Sequence, residues 1–95
     1  MGTPRTMEIS DGIPINDYEG IHHALSRFDR GGMWTVVRRG RPSARVRVIY
    51  RGAQEPAKQR YDAAAAAMRQ GMVALIDDCG GVVRYASEPM CRTRW

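Results

Sequence analysis

An alanine-rich helical segment between two pairs of strand-like segments constrains the fold of this chain most strongly. Pro56 suits the first turn of a helix, and five consecutive alanines, Ala63 to Ala67, favour helix intrinsically. Apolar residues recur at helical spacing, at Ala57, Tyr61, Ala64, Ala65 and Met68. Because alanine side chains are small, this helix can lie close to a sheet. The pattern therefore predicts a long helix on one face of a sheet.

Two β-hairpins are predicted on either side of this helix. Residues 33–37 and 44–50, and then residues 72–76 and 82–86, are rich in β-branched and aromatic residues and enclose turn-forming segments. A short N-terminal helix is predicted from Asn16 as N-cap, with Ile21, Ala24, Leu25 and Phe28 on one face. The predicted class is α+β, with a four-stranded, mainly antiparallel sheet of two hairpins, the long alanine-rich helix on one face and the short N-terminal helix.

The length of 95 residues predicts one folded domain. Residues 1–15 are expected to form a flexible N-terminal arm with at most a short strand, because they contain Pro4 and Pro14 and show no sustained periodicity. Residues 16–90 are the predicted α+β domain, and residues 91–95 are a basic C-terminal tail. The chain has no run of eighteen apolar residues and no apolar signal-peptide segment, so a cytoplasmic protein with no membrane contact is expected.

Six arginines fall between positions 38 and 51, while no acidic residue occurs from Gly31 to Gln54. Together with a net charge of +5, this pattern indicates an anionic partner. In the second strand, alternation places Ala44, Val46, Val48 and Tyr50 on the core side and Arg45, Arg47, Ile49 and Arg51 toward solvent. The candidate partner-binding residues are Trp34, Arg38, Arg39, Arg41, Arg45, Arg47, Arg51, Arg92, Arg94 and Trp95.

The residues that most often perform catalysis or bind metals occur here in patterns with simpler explanations. His22 and His23 are adjacent on the predicted helix and point about 100° apart, so they do not chelate one metal together. Asp77 and Asp78 are expected to be ordinary turn residues. Cys79 and Cys91 lack CxxC spacing and form neither a disulfide framework nor a zinc site, although a single bridge between them stays open. We therefore expect no enzymatic activity, no metal and no cofactor.

Three interpretations of the arginines stay open at this point. The arginines could be a solvated face that blocks edge-to-edge strand pairing, or they could bind nucleic acid as a two-stranded ribbon, with Trp34 or Tyr50 available to stack on bases. The third is a protein or ribonucleoprotein complex with an acidic surface, because arginine and tryptophan are common interface hot spots. We expect the third, with nucleic-acid binding as the alternative. The oligomeric state is not indicated by the sequence.

Residues 34–85 contain the strand Arg-Val-Arg-Val-Ile-Tyr, the alanine-rich helix and the strand Gly-Met-Val-Ala-Leu-Ile-Asp. In these features the chain resembles the small ββαββ accessory proteins of bacteriophages and other mobile elements, a group that includes many anti-CRISPR proteins. This resemblance implies a compact, non-enzymatic inhibitor that covers the surface of a host complex. Many such inhibitors are acidic mimics of nucleic acid, whereas this chain is basic, so it would dock on an acidic protein surface or on bound nucleic acid.

Overall fold

A five-stranded antiparallel sheet organises the computed structural model, which describes residues 7–18, 20–29, 31–41, 44–68 and 70–87. The elements are β1 (Met7–Pro14), a 3₁₀ helix (Ile15–Asp17), α1 (Ile21–Leu25), β2 (Trp34–Arg39), β3 (Arg47–Gly52), α2 (Gln54–Ala67), β4 (Met72–Asp77) and β5 (Val82–Ala86). The strands lie in the order β1-β5-β4-β2-β3. The predicted α+β class and antiparallel sheet are confirmed, but the sheet has five strands instead of four.

The additional strand, β1, comes from the segment that was predicted to be an N-terminal arm. It pairs with β5, from Met7 opposite Ala86 to Pro14 opposite Val82, and its register shifts between Glu8 and Ile13. This irregularity breaks the two-residue period by which a strand is recognised in a sequence. The predicted arm is therefore corrected over residues 7–14. Residues 1–6 of the arm and the predicted tail, residues 91–95, lie outside the described residues.

The long helix is confirmed, and it connects two parallel strands that are not neighbours. α2 follows β3, passes over β2 and leads into β4, as the connection between parallel strands requires. Its buried face packs on one side of the sheet, in a cluster that consists of Val36, Ala57, Tyr61, Ala65, Val73 and Leu75. We call this the helix-face cluster. In the described part of the chain no helix is long and apolar enough to cross a membrane, and α2 itself has 14 residues.

The opposite face of the sheet is also covered, mainly by the 3₁₀ helix and α1. The buried residues of this opposite-face cluster are Ile15, Tyr18, Ile21, Leu25, Val37, Met72, Ala74, Ile76, Val83 and Ala86. Val46 and Val48 pack against it from the hairpin. The central strand β4 is therefore buried on both faces. A strand that is covered on both faces has a continuous run of apolar residues in its sequence, as β4 does.

The N-terminal helix is present, but it begins later than predicted. α1 starts at Ile21, and its N-cap is Gly20 with φ 85°, whereas Asn16 lies within the preceding 3₁₀ helix. The positive φ at Gly20 turns the chain between the two helices, a conformation that suits glycine. The predicted apolar stripe is nevertheless correct, since Ile21 and Leu25 are buried and Phe28 is half-buried.

A bulge in β3 breaks the predicted alternation of its side chains. Val36 lies opposite Tyr50 and Val37 lies opposite Val48, so Ile49 has no counterpart in β2. As a result, Val48 packs against the opposite-face cluster, while Tyr50 packs against the helix-face cluster. The prediction that these two residues face the same side is wrong. The bulge also changes the direction of Arg51, which lies opposite Thr35.

The arginine-rich hairpin as a candidate binding surface

Four of the six predicted hairpin arginines form an exposed group where β2 and β3 are connected. Arg38 lies in β2, Arg41 follows this strand, Arg45 precedes β3, and Arg47 is the first residue of β3. All four are exposed, and none of them takes part in an ion pair within the described residues. We call these four residues the arginine patch. The prediction of an exposed cationic surface at this hairpin is confirmed for these positions.

Within the arginine patch, Arg38 and Arg47 lie directly opposite each other on neighbouring strands. The neighbouring pair, Val37 and Val48, packs on the opposite-face cluster. Because successive side chains of a strand alternate between its two faces, Arg38 and Arg47 point toward the side of the sheet that carries α2. Directly opposed residues have Cβ atoms about 4.5–5.5 Å apart, and like charges at this separation destabilise the strand pair. An anion bound between the two guanidinium groups would relieve this repulsion.

Two further predicted residues, Arg39 and Trp34, are not part of the exposed patch. Arg39 is half-buried, and its buried Nε has no hydrogen-bond partner within the described residues. Trp34 is half-buried and packs against the helix-face cluster. Tyr50 packs there too, and the Arg60 guanidinium lies 5.0 Å from the centroid of its ring. Part of the Trp34 ring is therefore used in core packing, and its role in partner binding stays a prediction.

Arg51 was predicted to face solvent, but the structure places it in a largely buried ion pair. Its Nη2 donates to Asp78 Oδ2 at 2.7 Å, and the two side chains are 17% and 1% exposed. Nε also donates to Thr35 Oγ1 at 3.2 Å, and the guanidinium lies 4.7 Å from the centroid of the Phe28 ring. Arg51 is therefore a structural residue that ties β3 to β2, to the β4–β5 turn and to the segment after α1.

Asp78 is the partner that sequence reasoning missed. Its Oδ2 also accepts a hydrogen bond from the Gly31 backbone N–H at 3.2 Å, so the carboxylate holds the loop before β2. The neighbouring Asp77 behaves as a turn residue, since its Oδ1 accepts from the amides of Cys79 and Gly80 at 3.1 and 3.2 Å. The prediction was thus right for Asp77 and wrong for Asp78. Nothing in the sequence distinguishes the two aspartates, because only the pairing of β2 with β4 brings Asp78 near Arg51.

The remaining candidates are two histidines, two cysteines and three residues of the predicted tail. Arg92, Arg94 and Trp95 lie outside the described residues, as does Cys91, while Cys79 is an exposed free thiol. His22 and His23 are exposed in the last turn of α1. Among the residues that the structure describes, no group of three or more histidine, cysteine or acidic side chains is arranged to hold a metal ion.

The chemistry available at the arginine patch is the recognition of anions. A guanidinium group is permanently charged and presents a planar fork of N–H donors that fits a carboxylate or a phosphate. Four such groups lie at one hairpin end, and two of them, Arg38 and Arg47, lie directly opposite each other on neighbouring strands. In comparisons with known proteins, no family model, curated protein or solved structure matches this chain.

Proposed function

We propose that this protein is a small non-catalytic interaction module that binds an acidic protein surface through the arginine patch. The observation that carries the proposal is the facing pair Arg38 and Arg47, two like charges that no acidic residue in the described chain neutralises. Such a pair costs folding stability, whereas a partner's carboxylate placed between them forms charge-assisted hydrogen bonds with both. The surface is therefore suited to a ligand that supplies negative charge.

A protein partner fits the surroundings of the arginine patch better than nucleic acid does. Single-stranded nucleic acids are usually bound by aromatic rings on which bases stack, but Trp34 and Tyr50 are packed against the helix-face cluster. Ile49, in contrast, is 41% exposed in the same strand as Arg47. Arginines beside an exposed aliphatic side chain are typical of protein interfaces, in which a small apolar centre is surrounded by charge.

The resemblance to phage accessory proteins extends this proposal to a biological role. In this role, the module is an inhibitor that covers part of a host protein or ribonucleoprotein complex. What supports this role is the concentration of exposed charge at one end of the β2–β3 hairpin. Covering a surface in this way requires no bond-breaking step and no cofactor.

The preferred anion can be tested by comparing carboxylates with phosphates at equal charge. We expect a glutamate homopolymer to bind more tightly than duplex or single-stranded DNA near physiological salt, measured by fluorescence titration. Contacts between four arginines and DNA phosphates would make DNA affinity fall about a hundredfold between roughly 0.05 and 0.2 M salt, because counterions are released. The same titration series therefore measures both preference and salt dependence.

Each outcome of this titration has a separate meaning. Tighter binding of the glutamate homopolymer supports the acidic-protein proposal. Tighter binding of DNA, with the steep salt dependence given above, would replace it with nucleic-acid binding. Failure of both ligands to bind at low salt would show that the arginines serve solubility and edge protection alone.

A further inference from the structure

The free edge of β3 is the feature beside the arginine patch that can determine how a partner binds. β3 is the last strand in the sheet order, so one of its edges pairs with β2 and the other pairs with no strand of the described chain. A free edge presents backbone N–H and C=O groups that can accept a further strand. Several peptide-binding proteins use such an edge to add an extended segment of their partner.

The side chains along this edge specify the type of segment that fits. Arg47, the first residue of β3, points to the side of the sheet that carries α2, and the exposed Arg45 lies two residues before it in the connection from β2. An acidic residue opposite Arg47 in an added strand, and acidic residues where that strand continues past the start of β3, would therefore lie near both arginines. Ile49, two residues after Arg47 in β3, is 41% exposed and offers contact to an aliphatic side chain.

We infer that the β3 edge binds an extended acidic segment of the partner as a sixth strand, with Arg45 and Arg47 pairing with its carboxylates. This inference rests on the proposed function and adds the backbone geometry of the contact. It predicts that affinity depends on the ability of the ligand to form a strand, in addition to its charge.

Charge complementarity indicates which kind of segment can pair with the β3 edge. A second copy of the chain would bring Arg45 and Arg47 against other positive charges, on a protein whose net charge is already +5. Residues 1–6 and 88–95 are not complementary either, since they contribute Arg5, Arg92 and Arg94 but one acid, Glu88. An acidic segment from another protein is the occupant that these charges favour.

The bulge at Ile49 is consistent with this selectivity. Bulges and positive charges are the features by which natural sheets prevent their edges from pairing with one another. Positive charge repels identical copies, but it attracts a strand of opposite charge. The same residues can therefore block self-association and still accept an acidic segment.

The test compares two peptides of equal negative charge on the full chain. One alternates glutamate with valine, so that it favours an extended strand, and the other is a glutamate homopolymer without intervening residues. We expect the alternating peptide to bind about tenfold more tightly and to slow hydrogen exchange at the backbone amides of residues 47–50. Equal affinities together with unchanged exchange in β3 would overturn the inference.

A pair of variants provides the matched control. Ile49 and Met33 are exposed to similar extents, 41% and 42%, but Met33 lies before β2, next to the end of the hairpin opposite the arginine patch. We expect Ile49→Ala to weaken binding of the alternating peptide about tenfold and Met33→Ala to leave it unchanged. An equal effect of both substitutions would contradict docking along β3.

The outcomes also separate this inference from the proposed function. If the homopolymer binds as tightly as the alternating peptide and β3 exchange does not change, edge pairing is excluded while carboxylate recognition stands. If neither peptide binds, both proposals fall. If DNA binds more tightly than both peptides, phosphate is the preferred ligand, and edge pairing with an acidic protein segment is excluded.

Discussion

Replacing Asp78 with alanine is expected to lower the free energy of unfolding by about 3–5 kcal/mol, measured by urea denaturation. The substitution removes a carboxylate that is 1% exposed and leaves the Arg51 guanidinium, 17% exposed, without its charged partner. It also removes the acceptor for the Gly31 amide. A domain of this length has a total stability of roughly 5–14 kcal/mol, so the loss is a large fraction of it.

The neighbouring aspartate supplies the control for this prediction. Asp77→Ala removes turn hydrogen bonds to Cys79 and Gly80 from a half-buried position, and a loss of about 1 kcal/mol is expected. The double variant Arg51→Met with Asp78→Leu removes both charges and should be more stable than Asp78→Ala, because no charge is left buried and unpaired. A loss for Asp78→Ala no larger than that for Asp77→Ala would show that the ion pair does not hold the fold together.

Reversing both facing arginines, Arg38→Glu with Arg47→Glu, is expected to weaken binding of the glutamate homopolymer by at least about a hundredfold. Each guanidinium–carboxylate hydrogen bond contributes about 1.5–3 kcal/mol, and 1.4 kcal/mol corresponds to a tenfold change in affinity. The reversed charges would, in addition, repel the ligand. The measurement is a fluorescence titration at low salt, with circular dichroism to show that the variant is folded.

The control for this reversal has the same net charge at other positions. Arg27 is exposed beside Phe28, and Arg84 lies on β5, where it donates to the Ser10 carbonyl oxygen at 2.8 Å. The variant Arg27→Glu with Arg84→Glu should retain most of the affinity. If both double variants lose affinity equally, binding reflects the total charge of the protein and the arginine patch is not a specific site.

The elements of the fold that depend on local patterns could be predicted from the sequence. α2 combines a regular apolar stripe with the high helix propensity of alanine, and the predicted residues Ala57, Tyr61 and Ala65 are buried as expected. The β4–β5 hairpin is likewise found close to its predicted bounds. In these segments local propensity, periodicity and tertiary packing favour the same structure.

The features that could not be predicted depend on pairing between distant segments. β1 was missed because a register shift interrupts its periodicity, and the strand is stabilised by its pairing with β5. The bulge at Ile49 could not be recognised either, since it is defined by the partner strand β2. That single unmatched residue reverses the sides of Tyr50 and Arg51 relative to simple alternation.

The candidate site was predicted in part, for the same reason. Arg38, Arg41, Arg45 and Arg47 are exposed as predicted, because their positions at the end of a hairpin keep them away from both clusters. Arg51 differs from them because the bulge changes its direction and because it pairs with Asp78, which is distant in sequence and indistinguishable there from Asp77. Charge density in the sequence thus identified the surface, while the three-dimensional pairing was needed to separate the exposed arginines from the structural one.

The most direct test of binding through the arginine patch is to measure stability and affinity together for the single substitution Arg38→Glu. The change converts a like-charged cross-strand pair with Arg47 into an opposite-charged one, and we expect the free energy of unfolding to rise by about 0.2–1 kcal/mol. We also expect affinity for the glutamate homopolymer to fall about tenfold, relative to an Arg27→Glu control. Higher stability with unchanged affinity would contradict a binding role for the arginine patch.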